Sequence, residues 1–227
     1  HKGLSNLGIN NILVPEEYAG LGLDLLFATA VSQSLGEGVA TLPFLGPYIL
    51  APTAIKYGAS DSQKEKLFAD MSQNLINFGI GFSEYFGSRD SSGLNISDNK
   101  VTGKTLFVLD TDFASHVMIA DNKGQIGIVS LDSNDIEMID LTTVDKTRTY
   151  KEMHFSDTPI EILDKTKSSS FAIEMALDAG RIIAAADSLG ASQAMINKAV
   201  EYSKERKQFN RVIGSFQAVK HMCAEMA

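Results

Sequence analysis

Hydrophobic positions along the chain follow three different periods in succession. Over the first ~75 residues they recur at helical spacing. In "LDLLFATAVSQSLGEG" the residues Leu23, Leu26, Phe27, Ala30 and Val31 fall on one face, and Gly36 and Gly38 are expected to stop the helix. In "SDSQKEKLFADMSQ", Ser60 or Asp61 can accept from the free N–H groups of a helix start, with Leu67, Phe68 and Met71 as the apolar side. From about Leu75 to Leu163 the pattern shortens to strand-like runs such as "LINFGIGFSE", "KVTGKTLFVLD", "SHVMIA", "QIGIVSL" and "TYKEMHFSD". The separators Ser97-Asp98-Asn99 and Asp121-Asn122-Lys123-Gly124 suit hairpin turns, because Asn, Asp and Gly tolerate positive φ. Consecutive short strands with tight turns imply an antiparallel sheet or barrel.

After "KTKSSS" the helical period returns. Phe171, Met175, Ile182, Ala186, Leu189, Ile196 and Val200 keep one apolar line from Ser170 to about Arg206, which predicts a helix of roughly 36 residues. Its small residues, Ala184, Ala185, Ser188, Gly190, Ala191, Ser192 and Ala194, would admit close neighbours, as in a helical bundle. Gly190 costs about 1 kcal/mol against Ala inside a helix, which argues for a packing reason.

Composition narrows the function classes. The 227 residues are 44% hydrophobic and 21% charged, with no apolar run approaching the ~18 residues of a membrane span. A formal charge of −8 argues against a phosphate-neutralising face, so no nucleic-acid partner is expected. One cysteine, Cys223, and four scattered histidines offer neither an internal disulfide nor a metal-ligand spacing, and a reducing compartment fits. The chain starts at His1 without an initiator Met, and "FQAVKHMCAEMA" stops within a helical pattern, so both ends read as artificial.

Two short motifs carry little. "GKT" at Gly103 lacks the earlier glycine of a phosphate loop, since Asp98 stands there, and "NIS" at Asn95 reads as part of a hairpin rather than a glycosylation site. "GFSEYFGSRDSSG", residues 81–93, is a Gly- and Ser-rich loop after a strand, able either to cradle a polar cofactor edge or simply to connect. "ERKQFNRVIGSFQAVKH", residues 205–221, holds more. Lys204, Arg206, Lys207 and Arg211 complement the negative end of the long helix. Arg206, Gln208, Phe209 and Gln217 are expected to converge at the corner where that helix breaks, a set suited to phosphate oxygens and a heterocycle edge.

At these residues the chain resembles the acyl-CoA dehydrogenase family, through "VPEEYAGLGLD" (14–24), "SEYFGSRD" (83–90), "GKTLFVLDTDFASHVMIA" (103–120) and "YSKERKQFNRVIGSFQAVKHM" (202–222). The resemblance implies an α+β multidomain fold. Residues 1–75 would be an N-terminal helical domain, 76–165 a middle antiparallel β-barrel, and 166–227 the start of a C-terminal helical bundle lacking its remainder. It implies FAD-dependent α,β-desaturation of an acyl-CoA thioester, in which a glutamate removes the α-proton and the β-hydride passes to the flavin. Electrons would leave to an electron-transfer flavoprotein, in a homo- or hetero-oligomer (dimer or tetramer) of the bacterial cytoplasm or the mitochondrial matrix. Ser83, Phe107, Val108 and Leu109 would face the flavin ring, Arg206, Gln208, Phe209, Phe216 and Gln217 would reach a neighbouring subunit's FAD, and Ser88, Asp178 and Arg181 would lie by the substrate.

Three departures from the family pattern stand out. Leu109 replaces a Thr hydroxyl near the flavin; "GSRD" replaces "GSD", so that Ser88 or Arg89 takes the serine site; and Gly180 stands where a minority of relatives carry the base. The catalytic base is therefore expected beyond residue 227. Two alternatives remain open: a non-catalytic subunit of a heteromeric dehydrogenase, and a flavin-dependent monooxygenase on the same architecture.

Overall fold

The computed structural model describes residues 7–227; the His1 start lies outside the described residues. The first long helix, α1 (Leu25–Glu37), starts at Asp24, whose carboxylate accepts from Leu26 N at 3.0 Å and Phe27 N at 3.2 Å. Its buried side is only partly the expected one, since Leu23 and Val31 pack against a core cluster. Leu26 and Phe27 are 73% and 56% exposed, and Ala28, Ser32 and Gly36 face the interior. Gly36 does not stop the helix but lies within it, and Gly38 is the C-cap.

The reason is the helix that α1 packs against. This is the long helix α4, Phe171–Glu205, 35 residues, close to the expected range. It approaches α1 so closely that a Cβ on Gly36 would stand 2.0 Å from Asp187 O, and one on Gly190 would stand 1.9 Å from Gln33 O. Ser32 Oγ adds a hydrogen bond to Ile183 O at 2.9 Å. At these two points no side chain fits, while Ile183 packs with Ala28, Val31 and Leu35 beside them. The expected apolar line of α4 is corrected accordingly: Phe171, Ile182 and Leu189 are exposed, whereas Ala172, Ile173, Ala176, Ala179, Gly180 and Ile183 are buried. The packing role expected for Gly190 holds.

Between α1 and the sheet, a buried π-helical turn (Gly46–Leu50) leads into α2 (Ala51–Gly58), followed by α3 (Asp61–Ser72). Ser60 begins α3 with a capping box to Gln63, and Leu67, Phe68 and Met71 are buried as the pattern predicts. Gln63 Nε2 also donates to Ile162 O at 2.9 Å, which ties this helix start to the sheet.

The sheet strands are β1 (Phe78–Gly81), β2 (Gly93–Ser97), β3 (Lys100–Leu109), β4 (His116–Ala120), β5 (Ile126–Ser130), β6 (Ile136–Leu141), β7 (Tyr150–Pro159) and β8 (Glu161–Ile162). They pair in the order β6-β7-β3-β1-β4-β5-β8, with β2 on β3. All pairs are antiparallel except β1 with β4, which run parallel from Phe78↔His116 to Gly81↔Ile119. The expected turns are present: Asp98 and Asn99 have φ of 51° and 56°, and Gly124 has 84°. The largest core cluster joins Leu50, Ile55 and Phe68 from the helices, Phe78, Ile80, Met118 and Ile126 from the sheet, and Ile173 and Ala176 from α4.

Gly190→Ala tests the helix contact. The methyl adds about 1 kcal/mol of helix propensity, but overpacking against Gln33 O is expected to cost about 1–3 kcal/mol more than that in urea unfolding. Gly38→Ala, where the nearest atom to a Cβ is 3.7 Å away, is expected to stay within about 0.5 kcal/mol of wild type.

Candidate cofactor site

β1 ends at Gly81, and the chain turns through a 3-10 segment (Ser83–Phe86) into the loop that returns at β2. Gly87, Asp90 and Ser91 take φ of 113°, 48° and 60°, the left-handed geometry that Gly and short polar residues accept. This loop lies beside an irregular part of β3. The β3–β7 register shifts between Thr105 and Val108, so Leu106 and Phe107 are skipped, and Phe107 sits at φ 56°. The bulge turns Phe107 outward to 44% exposure, while Val108 and Leu109 are 0% and 8% exposed.

The loop fastens to that bulge through side chains. Ser83 Oγ donates to Leu106 O at 2.5 Å. Glu84, 2% exposed, accepts from Leu106 N at 3.3 Å and from Ser92 Oγ at 2.8 Å. Ser92 Oγ in turn accepts from Arg89 N at 3.0 Å. With its proton on Leu106 O, the Ser83 hydroxyl keeps its lone pairs, so it presents an acceptor to a ligand's N–H edge. Ser88 and Arg89 are both exposed on the same loop.

β3 is followed directly by Asp110, held at φ 61° and 7% exposed. Its carboxylate accepts from Gly46 N at 3.0 Å, which joins the end of the strand to the π-helical turn. Burial pushes the Asp110 carboxyl up to about 6, against the opposing pull of the Gly46 hydrogen bond and the Arg148 charge. Arg148 itself donates from Nη1 to Leu42 O at 2.7 Å.

On α4, Asp178 and Arg181 form an exposed ion pair one turn apart. Between them Gly180 is buried, and a Cβ there would meet Leu50 Cδ2 at 2.7 Å. At the far end of α4 the chain makes a two-stranded hairpin, β9 (Lys207–Gln208) and β10 (Arg211–Val212), then a 3-10 turn and α5 (Gln217–Met226). Phe209 and Asn210, at φ 53° and 60°, form the two-residue turn. The Phe209 and Phe216 rings meet edge-on at 6.1 Å, and Arg211 lies over Phe216 at 4.0 Å. Arg206 folds back on the Tyr202 hydroxyl, Gln208 Nε2 donates to Lys207 O at 3.0 Å, and Gln217 lies 3.1 Å from His221 Nε2.

Of the residues singled out in the sequence, then, Ser83 is tied to Leu106 next to the outward Phe107, with Ser88 on the same loop, whereas Leu109 is buried at 8% exposure beside Ile80. Asp178 and Arg181 share a turn of α4, and Phe209 and Phe216 share the hairpin corner. Arg206, Gln208 and Gln217 are exposed there, each on a local partner. Glu84 and Asp110 were missed, because both read as the polar boundary of an apolar run.

A helical layer, a central sheet and a long helix, with an exposed loop beside an irregular strand, define an α+β protein. The family model described as acyl-CoA dehydrogenase, N-terminal domain, matches residues 1–74, and that for the C-terminal domain matches residues 171–227. The chain belongs to the acyl-CoA dehydrogenase family. It is 27% identical to a 3-(aryl)acrylate reductase of Clostridium sporogenes over 99% of its own length and 65% of the relative's. It is 22% identical to subunit CarC of the caffeyl-CoA reductase–Etf complex of Acetobacterium woodii, at 99% and 65% coverage. Butyryl-CoA dehydrogenase from Megasphaera elsdenii has the same fold, with a TM-score of 0.85 at 22% identity over 99% of this chain and 65% of that one. The chain thus spans about 65% of the length of these relatives.

Asp110 gives a pH test. Its folded pKa of about 6 lies above the ordinary 3.8, so the native state holds this proton more tightly than the unfolded chain does. The resulting stability is present at low pH and lost as pH rises from about 4 to 6. Asp110→Asn, which keeps an acceptor for Gly46 N, is expected to remove that loss. In denaturant titrations its advantage over wild type grows across that window to the order of 3 kcal/mol at pH 7.

Proposed function

We propose that the protein carrying this chain is an FAD-dependent acyl-CoA dehydrogenase that removes the α-proton and β-hydride of a thioester and passes the electrons to an electron-transfer flavoprotein. The observation that carries the reading is the Ser83–Leu106–Phe107 wall. It offers a hydroxyl acceptor beside an outward aromatic surface, the pairing a flavin's N–H edge and flat ring require. FAD, when bound, supplies the two-electron acceptor. Ser83 holds the ring edge, and Phe107 and Leu109 exclude water from one side of it. Leu109 cannot donate a side-chain hydrogen bond, so any donor to the ring at that point must come from the backbone.

The hairpin supplies the second half. Arg206 and Gln217 are exposed and held only by local partners, which leaves the guanidinium fork for phosphate oxygens and the amide for an adenine edge of a second copy's FAD. Asp178 and Arg181 lie toward the acyl-CoA, with Ser88 on the loop. Support for the electron-transfer partner comes from the relative named as a subunit of an Etf complex.

Removal of the α-proton needs a base, and Gly180, wedged against Leu50, supplies none. We place the base outside the described residues. The same glycine, with Leu109, favours a second reading: a subunit that contributes half an FAD site to a heteromeric dehydrogenase and no base. The two separate in one experiment. The full-length protein purified by itself is expected to carry FAD whose visible absorbance bleaches anaerobically on adding an acyl-CoA. Bound flavin without bleaching, restored by a partner subunit, would favour the second reading, and no flavin in either preparation would overturn both.

A further inference from the structure

Leu106 is the point where the sheet stops being held by strand pairing. β1 pairs with β3 at Ile80↔Leu109, and its continuation past Gly81 leaves the strand conformation for the 3-10 turn. On the other side the β3–β7 register skips Leu106 and Phe107. Both backbone groups of Leu106 meet side chains of two consecutive loop residues: its carbonyl accepts from Ser83 Oγ, and its N–H donates to Glu84 Oε1. Glu84 Oε2 accepts from Ser92 Oγ at 2.8 Å, closing residues 84–92 into a ring. Ser83 Oγ also lies 3.2 Å from Glu84 Oε1, but its single proton is taken by the shorter bond to Leu106 O. The carboxylate is 2% exposed, and none of the ion pairs among the described residues includes it.

Resting on the flavin reading above, we propose that Glu84 is the positioning residue of the cofactor wall: it pins loop 83–92 to the Leu106–Phe107 bulge and so fixes where Ser83 and Phe107 stand. A buried carboxylate is costly to keep in a loop turn, and its two oxygens are spent on the two groups that define this geometry. Removing it leaves the Leu106 N–H and the proton of the Ser92 hydroxyl without an acceptor in a buried place, Ser92 Oγ keeping only its bond from Arg89 N, which favours reopening of the loop over a merely weakened contact. Gln at this position keeps an oxygen for Leu106 N, whereas Ala keeps nothing.

Hydrogen exchange and FAD titration of the full-length protein test this with Glu84→Ala and Glu84→Gln. In the Ala variant, exchange of the peptide covering 104–109 is expected to accelerate ~tenfold while the β4 peptide is unchanged, and the FAD dissociation constant is expected to rise ~tenfold. The Gln variant is expected to stay within about threefold of wild type on both readouts. Wild-type behaviour of the Ala variant would overturn the proposal, as would equal losses in Ala and Gln or acceleration spread over the whole sheet. The exchange arm needs no flavin. A wild-type protein that takes up no FAD would therefore count against the flavin reading, while exchange still decides the role of Glu84.

Discussion

The contact between α1 and α4 is set by two glycines, and much of the site follows from it. Gly36 lies against the Asp187 carbonyl and Gly190 against that of Gln33, closer than any side chain permits. This distance brings Ile183 O to Ser32 and seats Gly180 on Leu50. Leu50 ends the buried π-helical turn that begins at Gly46, and Gly46 N reaches the carboxylate at the end of β3. A connected series of contacts thus runs from the helix pair to the strand that carries Phe107 and Leu109.

The cofactor wall is built on a different principle. Its irregular backbone is held by side-chain hydrogen bonds rather than by pairing, and that leaves Phe107 turned out and the Ser83 oxygen available as an acceptor. The hairpin at the end of α4 is organised separately, around Phe209, Arg211 and Phe216; it packs on α4, and the 3-10 turn after it packs on both α4 and α5. On the proposed reading, one of these surfaces would take the flavin ring and the other the pyrophosphate and adenine of a second copy's cofactor.

Much of this was legible in the sequence because it depends on period and turn chemistry. The three stretches, the Ser60 start of α3, the Asp98-Asn99 turn and the extent of α4 follow from residues acting locally. The buried faces of α1 and α4 were only partly legible, because periodicity ranks side chains by hydrophobicity and cannot see that at Gly36 and Gly190 a neighbour's backbone comes too close for any side chain. The parallel β1–β4 pair depends on the path of the chain through the sheet. For the site, Ser83 and Phe107 could be singled out through resemblance. Glu84 and Asp110 could not, since a charged residue beside an apolar run reads as a solvated boundary until burial and its donors are known.

The central claim is that the loop-and-bulge wall and the α4 hairpin hold two ends of one FAD across a subunit contact. A structure of the full-length protein with FAD tests it most directly. The account predicts the isoalloxazine edge on the Ser83 hydroxyl, with the ring against Phe107 and Leu109, and the pyrophosphate and adenine side on Arg206 and Gln217 of a second copy. A flavin seated away from the 83–92 loop, or one whose pyrophosphate is held without the 206–217 segment of either copy, would contradict it.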